Sequence, residues 1–79
     1  MRSAYIFDEQ DRLTGIIDDV SHYTNADIEK LEQATLAVGR HVAITDRGRG
    51  VCAGCHLDLG EREIAPGLFS HGLCKNCLT

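Results

Sequence analysis

Four cysteines in the order Cys52-x2-Cys55, eighteen intervening residues and Cys74-x2-Cys77 set the strongest constraint on this 79-residue chain. A two-residue gap lets both sulfurs of a pair face one ion from a tight turn. The longer interval suffices for a hairpin that returns the second pair to complete a tetrahedron. Four soft thiolates in that arrangement suit Zn2+, which prefers tetrahedral sulfur and carries no redox chemistry. The spacing therefore predicts one structural Zn2+ on Cys52, Cys55, Cys74 and Cys77, with no open coordination position. Leu57 and Leu59 alternate, Pro66-Gly67 turns the chain, and Leu68, Phe69 and Leu73 are placed to cover the metal. Gly54 and Gly72 relieve crowding beside the sulfurs, and Asn76 tolerates a left-handed turn before Cys77.

Other chemistries compete for the same residues. Cys52-Ala-Gly-Cys55-His56 also spells the C-x-x-C-H of a c-type haem attachment. That reading leaves Cys74 and Cys77 unexplained, and the single methionine, Met1, makes a poor axial ligand. A redox dithiol accounts for one pair at a time and lacks the strand-to-helix setting such motifs use. Two disulfides require export. The start, MRSAYIFDEQDRL, has one Arg, a short apolar patch and then acids, unlike a secretory signal, and Met1 argues against trimming. A reducing cytoplasm is thus the expected compartment, and no apolar run approaches a membrane span. With four thiolates at hand, His56 and His71 are expected beside the site or at the surface.

Ahead of the cysteines, residues 3–8 and 12–18 are β-rich runs around a polar turn and predict a β-hairpin, with Gly15 marking a weak point or bulge. Thr24 and Asp27 form a capping box. Ile28, Leu31, Ala34, Thr35 and Val38 then fall on one helical face, and Gly39 is placed as the left-handed cap, predicting a helix over about 25–38. HVAIT (41–45) alternates like a strand, and DRGRG (46–50) reads as a turn or hinge. The expected fold is small α+β: a ββαβ module over 1–46, a joint over 47–51, and a zinc ribbon or hairpin over 52–79. A chain this short buries only roughly 60% of its unfolded surface, so metal, or association of protomers through the hairpin or helix, is expected to supplement its core.

The segment GVCAGCHLDLGEREIAPGLFSHGLCKNC resembles the C-terminal zinc finger of the DksA/TraR family of bacterial RNA-polymerase-binding regulators. The shared features are Cys52-x2-Cys55, the apolar Leu59, Pro66, and Leu73-Cys74-x2-Cys77. The SHGLC-x2-C ending also resembles short zinc-binding tails of some bacterial signalling proteins. These resemblances imply a bacterial or phage regulator. The chain departs from that family in its N-terminal half, where a hairpin, one helix and a strand replace a helical region, and only Leu78 and Thr79 follow Cys77.

Charge narrows the classes further. The net charge is −4, and residues 1–35 set eight acids against three bases. An acidic chain gains no overall attraction to phosphate. Arg40, Arg47 and Arg49, with Lys75, are the candidate contacts for nucleic acid or for an acidic protein surface; capping and solubility explain them equally well. Asp18, Asp19 and His22 offer a second metal or acid–base cluster, against the plainer reading of a solvated strand end. Tyr5, Phe7 and Tyr23 are expected in a core or dimer contact. No nucleophile–base pair, phosphate-cradling loop or paired catalytic carboxylates stand out, so an enzyme is not expected. The preferred reading is a small zinc adaptor or regulator acting on a protein partner, with a nucleic-acid-binding ribbon as the alternative.

Overall fold

The computed structural model describes residues 1–78. Strands β1 (Ser3–Phe7) and β2 (Leu13–Ile17) pair antiparallel, from Ala4 opposite Ile17 to Phe7 opposite Leu13, with a bulge near Ile6 and Phe7. Asp8 closes their turn: its Oδ1 accepts the Gln10 and Arg12 amides, both at 2.9 Å. The Arg12 amide first, and Gln10 with it, holds that carboxyl below its usual pKa.

Helix α1 (Asn25–Ala37) begins at the expected capping box, with Thr24 Oγ1 accepting the Asp27 amide and the Asp27 carboxylate accepting the Thr24 amide. It ends in a Schellman motif. Gly39 takes φ 74°, its amide donates to Leu36, and the Arg40 amide donates to Thr35 at 2.8 Å. The buried face is narrower than the periodicity suggests. Thr35 is buried and Ile28 and Leu31 half-buried, but Val38 and Leu36 are 66% and 65% exposed. The helix leans on a single strand, β3 (His41–Thr45), and one line of contact cannot cover two turns of apolar side chains. Strand β3 pairs with the other edge of β1, giving the sheet order β2-β1-β3.

The expected turn or hinge after β3 is instead a strand. Strand β4 (Gly48–Cys52) is the centre of a second sheet, flanked antiparallel by β5 (Asp58–Arg62) and parallel by β6 (Phe69–Gly72). Alternation explains why GRGVC works as a strand. Gly48, Gly50 and Cys52 share one face, and on that face Ile64 fills the place of a Gly48 side chain. The Arg62 guanidinium lies where a Gly50 side chain would project. Arg49 and Val51 point to the opposite face, toward the first sheet. Helix α2 (Lys75–Leu78) closes the described chain.

The two sheets are tied together at several points. The Leu13 amide donates to the His56 carbonyl and the Asp58 amide to the Asp11 carbonyl, each at 2.8 Å. Fully buried Tyr5 donates its hydroxyl to the Leu68 carbonyl at 2.6 Å and accepts the Gly67 amide at 3.0 Å. Phe7, 1% exposed, lies between the His41 ring at 5.3 Å and the Arg49 guanidinium at 5.7 Å. That guanidinium grips Asp58 with two hydrogen bonds, at 3.1 and 2.6 Å. Tyr5, Phe7, Val20 and Val51 thus form one thin core across both sheets.

Two outcomes are expected. Gly48→Ala, which drives a methyl into Ile64 and toward the Ala65 carbonyl, lowers stability by about 1–3 kcal/mol, read from the urea midpoint. For Asp58, burial opposes ionisation, but the Arg49 hydrogen bonds and the Gly60 amide outweigh it and hold the carboxyl below its usual pKa. A depressed carboxyl stabilises the fold above its unfolded pKa of about 3.9, and that contribution disappears as pH falls through the folded value. Asp58→Asn therefore lowers the urea midpoint at neutral pH, and its deficit against the parent shrinks below about pH 4.

Candidate metal centre

Cys52 ends β4 and Cys55 closes the turn that follows it. The turn is held by the Cys52 carbonyl, which accepts the His56 amide at 2.9 Å, and by the Cys52 amide, which donates to Leu57 at 2.9 Å. His56 takes φ 65°, the left-handed conformation that turns the chain back from the second sulfur. Cys74 precedes α2 and Cys77 lies within it. The Cys77 and Leu78 amides both donate to the Cys74 carbonyl, at 3.1 and 3.0 Å, so the last turn winds around the site. The join between the pairs is the Ala53 amide, which donates to Gly72 at 2.8 Å and extends the β4–β6 ladder into the first turn.

This framework brings all four Sγ atoms within 4.8 Å of one another, with Cys55 and Cys74 3.5 Å apart. Zn–S bonds of about 2.3 Å in a tetrahedron put sulfurs about 3.8 Å apart, so the donor set fits such an ion. None of the four cysteines is paired in a disulfide, which needs sulfurs at about 2.0 Å. Among the described residues no other group of three or more His, Cys, Asp or Glu side chains is close enough to hold an ion. Asp18, Asp19 and His22 do not form one; Asp19 instead accepts the Ser21 amide at 2.9 Å.

Backbone dipoles polarise the cluster. Cys52 Sγ accepts the Gly54 amide at 3.4 Å and the Cys74 amide at 3.5 Å. The Cys74 amide first, then the Cys55 and Gly54 amides, bring the Cys52 pKa down to about 5. Once that sulfur is anionic, its neighbours resist losing their protons. Cys77, hydrogen-bonded to Cys52, Cys74 and Cys55, is pushed up to about 12. The Leu57 amide favours the Cys55 thiolate, but contact with the Cys74 and Cys52 sulfurs and burial raise its pKa on balance. A central cation relieves this repulsion. Gly54 is required for closure, since a Cβ there stands 2.8 Å from Cys77 Sγ.

Other sequence expectations change. Leu68, Phe69 and Leu73 do not cover the sulfurs; they are 57%, 43% and 49% exposed. Parallel pairing of β6 with β4 carries the return strand past the cluster along the sheet, and Phe69 turns to a groove beside Val51 instead. Asn76 lies in α2 and supplies no left-handed turn. His56 and His71 line a groove of about 370 Å³ with Leu13, Ile16, Val51 and Phe69. The basic strip is not gathered into one surface. Arg40 and Arg47 are exposed at opposite ends of β3, Arg49 is engaged with Asp58 and Phe7, and Lys75 sits on α2. Sequence reasoning missed Asp58, whose pairing with Arg49 has no signature in a spacing of nine residues.

Compared with protein-family models, with curated proteins and with solved structures, the chain matches none, so no family match supports the DksA/TraR resemblance.

Because cysteines bind metal as thiolates and Cys55 and Cys77 hold their protons, apparent metal affinity falls as pH is lowered from about 8 to about 6, with protons released on binding. Chelation, or Cys74→Ser, removes the metal and unfolds at least residues 51–78, seen as lost circular dichroism and amide protection. His56→Ala retains one metal per chain by elemental analysis; loss of metal there places the imidazole in the ligand set.

Proposed function

We propose that the chain binds one structural Zn2+ through Cys52, Cys55, Cys74 and Cys77, and acts as a small adaptor or regulator through protein contacts. The observation that carries this reading is the convergence of four sulfurs, two from each knuckle, within 4.8 Å. Thiolate-only, tetrahedral donation favours Zn2+ over harder cations, and four protein ligands leave no position for substrate or activated water. The metal then serves to shape a surface.

What that surface offers supports a protein partner. Leu68, Phe69, Leu73 and Leu78 stand exposed on the β6 and α2 side, and Leu36 and Val38 on α1. Arg40 and Arg47 stand apart and Arg49 is turned inward, which leaves no continuous basic row to follow a phosphate backbone. A role in bacterial or phage transcription or signalling is the context that the finger-like segment suggests.

Elemental analysis with native mass spectrometry is expected to give one zinc per chain and no visible chromophore. Tightly bound iron with sulfur-to-metal absorption, or a Soret band, overturns the zinc reading. Nucleic-acid binding that weakens steeply with salt overturns the protein-contact reading.

A further inference from the structure

Strand β6 is an open sheet edge, and we infer that it pairs with β6 of a second copy, joining two protomers through one continuous six-stranded sheet. The other edges are each partly engaged or carry charge. Helix α1 packs against β3, the Leu13 amide of β2 is taken by His56, and β5 carries Glu61 and Arg62. Strand β6 has β4 on one side and, among the described residues, no strand on the other.

Its hydrogen-bonding groups are set out for such a partner. The Arg49 amide donates to Leu68 and the Ala53 amide to Gly72, so even-numbered carbonyls here face β4. By alternation, Phe69 and His71 direct their own N–H and C=O outward. A two-fold axis at Ser70 places Phe69 opposite His71 of the second copy, and His71 opposite its Phe69. Each pair exchanges two backbone hydrogen bonds. The pairing is self-complementary: within one chain the Phe69 and His71 rings already meet edge to face at 5.2 Å, and the symmetric register repeats that contact across the interface.

Charge selects a second copy as the occupant. Residues 1–35 carry a large excess of acid, yet residues 64–79 contain no acid and a single base, Lys75. Two acidic chains can therefore meet along this edge without like charges opposed. Leu68, Phe69 and Leu73, each about half exposed, flank the strand without the charges or proline that natural proteins use to blunt an edge.

The test is sedimentation of the zinc-loaded full chain under reducing conditions, between about 1 µM and 1 mM. The expected result is a concentration-dependent shift from the 8.7 kDa monomer to twice that mass. Phe69→Lys sets two like charges diagonally across the seam on one face and raises the dissociation constant about tenfold or more. His71→Pro removes an outward N–H without touching the β4 ladder and also weakens association. Both are checked for one metal per chain; if His71→Pro fails that check, the exposed Phe69→Lys decides. Leu36→Lys on α1 is expected to leave association unchanged. A monomer throughout the range overturns the inference, as does a dimer lost in Leu36→Lys but kept in Phe69→Lys.

Discussion

Electrostatic repulsion among four sulfurs is the constraint on which the C-terminal half of this protein depends. Sulfurs held within 4.8 Å resist ionising together: backbone amides draw the Cys52 pKa down, while the neighbouring sulfurs push that of Cys77 up. A divalent cation converts that repulsion into attraction from every direction at once. The backbone is already arranged for it. Amides of Gly54 and Cys74 address Cys52, and Gly54 leaves room for Cys77. The site is thus prepared by ordinary turns and not by a large apolar shell, which a chain of this length has no residues to build.

That preparation reaches the N-terminal sheet through short connections. Cys52 ends β4, and three residues earlier on the same strand Arg49 holds Asp58 and covers Phe7. The knuckle residue His56 receives the Leu13 amide through its carbonyl. Metal binding, the Arg49–Asp58 pair and the burial of Phe7 are therefore linked along one strand. The groove walled by Leu13, Ile16, Val51 and Phe69 lies on this junction and keeps its shape only while both sheets hold their places.

The capping box, the Gly39 cap and the hairpin turn were legible because each depends on residues within a few positions of one another, and the cysteine set because two such short pairs recur at a zinc-site interval. Strand β4 was hidden because glycine usually marks a turn; here alternation puts the glycines on one face, where Ile64 and Arg62 fill the space. The exposure of Leu68, Phe69 and Leu73 was hidden for a different reason. Strand direction is a long-range property, and a return strand drawn as a hairpin partner points its side chains differently from one laid parallel to β4. The inward turn of Arg49 likewise depends on a partner sheet that no local pattern announces.

The hydroxyl of Tyr5 reaches the Leu68 carbonyl across 63 positions of chain. On a ribosome, the first strand emerges long before the segment that completes its core, so Tyr5 and Phe7 wait in water until most of the chain has been made. Formation of the two sheets together is then governed by closing a long loop more than by local propensity. A protein organised this way assembles the core of its first sheet and the framework of its cysteine cluster in one step.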